Sequence, residues 1–152
     1  MAIGFNAGRQ GQNGYSVAIG SEAGMVTQGS QSVAIGSGAG YSNQGNSAIS
    51  IGTYTYDPNG GVIQQKDQGE FSISIGAEAG HTNQGSNAIA IGTNAGRENQ
   101  HDNSVVINAT GSDLASGGTS RFYAKPVRQF ASANALAYDS TTGEITYREF
   151  PD

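Results

Sequence analysis

A short motif recurs along this chain at a fixed interval, and this interval constrains the fold more than any other feature. The motif is SVAIG at residues 16–20 and 32–36, SISIG at 72–76 and NAIAIG at 87–92. Each copy closes on a glycine, at Gly4, Gly20, Gly36, Gly52, Gly76 and Gly92. These glycines stand sixteen positions apart, except for the step from Gly52 to Gly76, which contains an insertion of eight more positions. Such a repeat predicts a stack of coils that share one core.

Two further columns keep the same register. An Ala-Gly pair follows most of these glycines, as at Ala23 and Gly24. One more step of the same length from Gly92 reaches Asn108 in SVVIN, a copy without its glycine, so we place the solenoid at residues 1–108. Once the insertion is subtracted, a glutamine stands eight positions after each closing glycine, at Gln12, Gln28, Gln44, Gln68, Gln84 and Gln100.

Each copy has the pattern of a short strand, because two β-branched residues stand two positions apart with small residues around them. One repeat then makes two short strands and two turns, with successive coils about 4.8 Å apart. We predict an all-β parallel solenoid whose coils are one repeat long, with the β-branched residues inside, the glutamines at a turn and the small Ala/Ser face free to approach partner chains. The predicted ladder residues are Val17, Ile19, Val33, Ile35, Ile49, Ile51, Ile73, Ile75, Ile89, Ile91, Val105, Ile107, Gln28, Gln44, Gln68 and Gln84.

The composition suits a thin core that partner chains complete. The 152 residues include 24 Gly and no Cys or Trp, and 36% are apolar, against roughly 45–50% in ordinary globular domains. We therefore expect a chain that is not a monomer. A formal net charge of −5 argues against nucleic acid as a partner. Because no apolar run approaches about 20 residues, we also expect no membrane insertion.

SVAIGSEAG and NAIAIGTNAG resemble the YadA-like head repeats of trimeric autotransporter adhesins, over roughly residues 1–108. The resemblance implies a left-handed parallel β-roll and a homotrimer whose chains associate side by side. This chain departs from that family in its longer repeat and in its Gln-Gly column.

The tail resembles a different group of proteins. SVVINATGSDLASGGTSRFYAKPVRQ and ALAYDSTTGEITY are similar to segments of phage and giant-virus fibre proteins. In those proteins the segment follows YadA-like repeats and often precedes an intramolecular chaperone of the S74 peptidase type. The chaperone is missing from this chain, and Met1 stands within a repeat, so we expect a matured product or a truncated chain.

The residues after the repeats divide into two parts. Residues 109–121 are rich in Gly, Ser and Thr and predict a connector. Residues 122–152 predict a small β-rich neck segment, with a hairpin that turns between Asp139 and Gly143.

The insertion, at 53–71, is the first candidate binding site, because insertions in solenoids often lie on the binding face. Its Tyr, Asp, Asn and Lys side chains suit stacking on a sugar and hydrogen bonding to its hydroxyls. The alternative is a surface hairpin turned by Pro58-Asn59-Gly60 without a ligand. The candidate contacts here are Tyr54, Tyr56, Asp57, Asn59 and Lys66.

A variable column after the Ala-Gly pairs supplies two more candidate contacts, Tyr41 and His81. The alternative is that nothing constrains this column, which also holds Arg9, Met25 and Arg97. We predict no catalytic residues, no metal and no cofactor. DPNG lacks the later carboxylates of a calcium loop, and neither histidine stands in a recognisable catalytic motif.

The leading hypothesis is a structural, non-enzymatic trimeric fibre or head module on a virion surface, which displays a surface for attachment to a host glycan or protein. A second is the head of a bacterial surface adhesin. A third is a solenoid that acts on polysaccharide, although only Glu22 and Glu78 share a column within the regular repeats. A fourth is an ice-binding solenoid, although Thr53 and Thr93 alone form a threonine column.

Overall fold

The computed structural model describes residues 1–53, 55–56, 62–63, 66–127 and 134–149. They form a parallel β-solenoid of about seven turns with coils of roughly 16 residues. Each full coil contributes one strand to an eight-stranded sheet and most contribute a second strand to a five-stranded sheet. The predicted period and the two strands per coil are confirmed.

The eight-stranded sheet contains the recurring motif. Its neighbours pair in parallel and in register, so that Val17 lies beside Val33 and Ile35 beside Ile51. In spatial order its strands are β1 (Ala2–Ile3), β3 (Val17–Ile19), β5 (Val33–Ile35), β7 (Ile49–Ile51), β11 (Ile73–Ile75), β13 (Ile89–Ile91), β14 (Val105–Asn108) and β15 (Phe122–Lys125).

The five-stranded sheet carries the glutamine column at the ends of its strands. Gln28 pairs with Gln44, and Gln68 with Gln84, so this ladder is also in register. Its strands are β2 (Gln10–Gln12), β4 (Val26–Gln28), β6 (Ser42–Gln44), β10 (Lys66–Gln68) and β12 (Thr82–Gln84).

The expected orientation of the eight-stranded sheet is wrong, because the small face points inward. Ala18, Ala34, Ser50, Ser74 and Ala90 are completely buried. The flanking β-branched residues are half-buried, and Ile51 and Ile107 keep 36% and 40% of their surface exposed. Alternation along a strand sends these two sets to opposite sides. A coil of this length is too narrow for bulky side chains on both sheets, so Ala and Ser fill it.

The glutamines end strands and lie inside the coil rather than at a turn, which corrects the second expectation. Gln28 Nε2 donates a hydrogen bond to the Val17 carbonyl at 2.7 Å, across the interior between the two sheets. Gln44, Gln84 and Gln100 repeat this bond to the corresponding strands at 2.8–2.9 Å. One direct amide contact is also present, from Gln84 to Gln100 at 3.3 Å. The ladder therefore holds the two sheets together mainly through backbone carbonyls.

The insertion leaves the solenoid without disturbing its register. Strand β7 pairs with β11 in the same register as other neighbours, with Ile49 beside Ile73, although the inserted segment lies between them in the chain. Within the insertion, β8 (Thr55–Tyr56) pairs antiparallel with β9 (Val62–Ile63). The expected hairpin is therefore present, while its turn residues lie outside the described ranges.

The solenoid continues beyond the boundary expected at residue 108. Strand β15 adds a parallel neighbour to β14, with Phe122 beside Val105. The segment expected as a connector contributes Leu114 and Ser116 to the interior, so it forms part of a further coil. Beyond it, β16 (Asn134–Tyr138) and β17 (Ile145–Glu149) pair antiparallel around the turn at Asp139.

Candidate functional site

Two of the predicted contact residues lie at the same edge of the five-stranded sheet. Tyr41 directly precedes β6 and His81 directly precedes β12, and both are half-buried. Strand β10 lies between these strands and is the strand to which the inserted residues return. Two coil spacings amount to about 10 Å. The fold therefore brings Tyr41, His81 and the base of the insertion to one corner.

The remaining predicted contacts belong to the insertion itself. Tyr54, Asp57 and Asn59 lie outside the described residues. Tyr56 belongs to β8, and Lys66 begins β10, where it pairs with Ser42 and Thr82. At the corner, His81 Nδ1 lies 2.7 Å from Thr82 Oγ1, which fixes the orientation of the imidazole ring.

Arg97 extends the same column but has a structural partner. Its Nε donates to Glu78 Oε2 at 2.6 Å, and Nη1 lies 3.4 Å from Asp113 Oδ2. Burial opposes the charge, yet the two carboxylates together raise the pKa of Arg97 above its ordinary value. Glu78 is buried, with 8% of its surface exposed. Through Arg97, this buried carboxylate is connected to Asp113 in the segment that follows the last repeat.

A polar groove on the outer face of the five-stranded sheet was missed by sequence reasoning. It has a volume of about 420 Å³ and is lined by Asn43, Asp67, Asn83, Ser86 and Asp102, among others. The signal was present in the sequence. Gly11 stands before the first glutamine, and the residues before the other five are Thr27, Asn43, Asp67, Asn83 and Asn99, mainly carboxamide and carboxylate groups.

The walls of this groove are held by hydrogen bonds between successive coils. Asn43 Nδ2 donates to Asp67 Oδ1 at 2.7 Å, and Asn83 Nδ2 donates to Asn99 Oδ1 at 3.0 Å. On the other wall, the Ser86 N–H donates to Asp102 Oδ1 at 2.8 Å. These contacts fix the polar groups in advance of any ligand.

A continuous apolar surface covers the outer side of the eight-stranded sheet. We call it the Val/Ile face. From β3 to β14 it extends over six rungs, or roughly 24 Å. No charged side chain stands in either of its two columns from β3 to β14. The columns are Val17, Val33, Ile49, Ile73, Ile89 and Val105, and Ile19, Ile35, Ile51, Ile75, Ile91 and Ile107.

The second histidine has a structural environment. The His101 N–H donates to Ser116 Oγ at 2.8 Å, and His101 Nδ1 lies 3.0 Å from the same oxygen. Ser116 is 5% exposed, so the pair anchors the last coil. Within the ranges that the structure describes, no group of three His, Asp or Glu side chains could hold a metal ion.

Comparisons with known protein families, curated proteins and solved structures find no match to this chain. The described part of the chain also contains no helix of the length and hydropathy needed to span a membrane.

Proposed function

We propose that this chain is a non-enzymatic, trimeric fibre or head module of a virion, built as a left-handed β-roll and used for attachment to a host. The observation that carries the proposal is the Val/Ile face. A uniform apolar strip of this length is unusual on a free surface and is typical of an interface. The number of chains in the proposed oligomer, three, is taken from the resemblance to YadA-like heads. The proposed location on a virion is taken from the resemblance of the tail to viral fibre proteins.

The geometry of the Val/Ile face supports association between copies of the same chain. Its side chains repeat at the strand spacing, so parallel copies present matching rungs along the whole length. Its columns carry no charge, so burial leaves no unpaired ion there. The two columns offer six apolar rungs to a partner chain.

A trimer would display every exposed site three times. Three weak contacts can then act together through avidity. In this proposal the corner formed by Tyr41, His81 and the insertion faces a glycan or protein on the host surface. The candidate insertion contacts remain Tyr54, Tyr56, Asp57, Asn59 and Lys66, and the tail serves as the neck of the fibre.

The first experiment is the absolute mass of the native protein, measured by light scattering over a dilution series. We expect a stable mass three times the 15.5 kDa of the chain. A monomer at every concentration would overturn the proposal and favour an ice-binding solenoid with the Val/Ile face as its working surface.

Attachment is tested separately with fluorescently labelled protein on a panel of bacterial and eukaryotic cells. We expect saturable binding to some cells, reduced at least tenfold by Tyr41→Ala combined with His81→Ala. A trimer that binds none of the cells would argue for a shaft rather than an attachment head.

A further inference from the structure

We propose that the polar groove and the neighbouring Phe71 together form a binding site for a neutral saccharide. The site lies on coils three to six, on the outer face of the five-stranded sheet. Its biological role rests on the proposed attachment function, because it names the class of ligand that such a head would recognise. It is distinct from the corner that contains Tyr41 and His81.

Phe71 is an exposed aromatic residue that stands close in the chain to residues lining the groove. It follows two residues after Gly69, which lines the groove, and 57% of its surface is exposed. Its N–H donates to the Asn46 carbonyl at 3.0 Å, which holds it against the preceding coil. An exposed aromatic ring is the group on which the apolar face of a sugar stacks.

The residues that take the position of Phe71 in the other coils show that packing of the solenoid does not require an aromatic ring there. Phe71 has a left-handed backbone, with φ of 57°, and so do its neighbours in the column. Those neighbours are polar, and asparagine is among the residues best suited to this conformation. They are Gln31, Ser47, Asn87 and Asn103, with Tyr15 as the other aromatic member.

Polar groups beside the ring suit the hydroxyls of a sugar. Asn46 Nδ2 donates to Glu70 Oε1 at 3.0 Å, and Asn43 Nδ2 donates to Asp67 Oδ1 at 2.7 Å. Each carboxylate can accept further hydrogen bonds, because each oxygen has two lone pairs. Hydroxyl donors on a ligand can therefore bind without displacing the contacts that hold the groove.

The charge of the site selects among saccharides. Asp67, Glu70 and Asp102 are all exposed along this sheet, and among the groove-lining residues that the structure describes there is no cation. Carboxylates repel sialic acids, uronic acids and sulfated sugars when they are directly opposed. We therefore expect a neutral saccharide, bound in an extended form along the solenoid axis.

The repeat itself supplies substitutions that should preserve the fold. Phe71→Asn, Asp67→Asn and Glu70→Ser each introduce a residue that this chain already uses at the same corner of another coil. Tyr15→Asn is the matched control, because Tyr15 is also exposed and left-handed but follows Gly14 at the far end of the solenoid.

The full chain is first screened on an array of neutral, sialylated and sulfated glycans, and the strongest neutral glycan is then titrated by calorimetry. We expect binding to neutral glycans alone. Phe71→Asn and the double variant with Asp67→Asn and Glu70→Ser should weaken it at least tenfold, while Tyr15→Asn leaves it within twofold.

Three outcomes would overturn this inference. They are the absence of binding to any neutral glycan, an equal loss in Tyr15→Asn, and a change of native mass in Phe71→Asn, which would assign the ring to an interface. None of the three decides the proposed function. If the trimer binds cells through Tyr41 and His81 but binds no neutral glycan, the proposed function stands and the proposed saccharide site is refuted.

Discussion

At the scale of single residues, left-handed backbone conformations mark the corners of every coil. Thr27, Asn43, Asp67, Asn83 and Asn99 occupy one such column, with φ between 51° and 56°. Asparagine adopts this conformation readily, whereas a β-branched residue does so only under strain. The column therefore contains one poorly suited residue, Thr27.

We expect Thr27→Asn to stabilise the protein by roughly 0.5–1 kcal/mol, because it removes that strain from an exposed position. Urea unfolding at a fixed protein concentration measures the change. The reciprocal variant, Asn83→Thr, should lower the free energy of unfolding by at least as much, because it also removes the hydrogen bond from Asn83 Nδ2 to Asn99 Oδ1. A destabilised Thr27→Asn would contradict the strain argument.

The buried glutamines provide a second test at this scale. Gln44 Nε2 donates to the carbonyls of Val33 at 2.8 Å and Ala48 at 3.2 Å. Gln44→Ala should lower the free energy of unfolding by roughly 2–4 kcal/mol, since it leaves a cavity in the interior and removes both of these hydrogen bonds. Gln12→Ala, at a half-buried position in the first coil, should cost less than about 1 kcal/mol in the same urea titration. Equal effects would show that the interior bond is unimportant.

The hairpin turn has a titratable residue. The Asp139 carboxylate accepts the N–H groups of Thr141 at 2.7 Å and Thr142 at 3.3 Å. These two bonds lower the pKa of Asp139 below its ordinary value of 3.8.

Because the folded pKa is the lower one, we expect the turn to be fully stabilised above pH 3.8 and to lose this contribution as the pH falls through the folded value. The amide proton of Thr141, followed by NMR through an acid titration, reports the change. Asp139→Asn keeps an acceptor oxygen and should remove the pH dependence. A titration unaltered in that variant would assign the effect to another group.

At the scale of elements, successive coils approach most closely at the glycine that closes each motif. A Cβ on Gly20 would lie 2.6 Å from the carbonyl oxygen of Gly36, and φ of Gly20 is 127°. Both the clash and the backbone conformation exclude other residues there.

We expect Gly20→Ala to destabilise the protein by roughly 3 kcal/mol or more, because strain and overpacking add. Gly14→Ala is the control, since a Cβ there meets nothing within 4 Å. Thermal unfolding followed by circular dichroism should show a large fall in midpoint for the first variant and almost none for the second. Similar midpoints would mean that the coils can shift to accommodate a methyl group.

The same elements show why the sequence predicted the coils but not which side chains fill their interior. Both the period and the inserted segment can be read from the glycines alone. The alternation in SVAIG separates two faces of the strand but does not say which face is buried. Since bulky apolar side chains usually form the core, the β-branched face was expected inside. In the structure the small side chains of Ala18 and its equivalents are buried, opposite the buried glutamines of the other sheet.

The candidate sites, like the coils, could be predicted only in part from the sequence. Tyr41 and His81 could be singled out as a variable column, but their closeness to the insertion depends on the order of β6, β10 and β12. The polar groove was overlooked because its two walls come from columns three residues apart that meet only across a turn. Phe71 gives no periodic signal, since it differs from its column.

At the scale of the whole molecule, the reversed orientation changes which surface is available to a partner. A buried Ala/Ser face cannot be an interface, so the Val/Ile face takes that role in the proposed trimer. A strip of β-branched residues that becomes buried between chains also predicts a specific sensitivity to charge, because an unpaired ion buried at an interface is costly.

We expect Ile75→Lys combined with Ile91→Lys to abolish association and leave a monomer, since both residues are 38% exposed at the middle of the Val/Ile face. Each coil should still form, because neither side chain fills the interior. Glu98→Lys is the charge-matched control, since it changes the net charge by the same two units at an exposed position next to the five-stranded sheet. Light scattering should give one third of the native mass for the double variant and the unchanged mass for the control. A double variant of unchanged mass would require that the chains meet through a different surface.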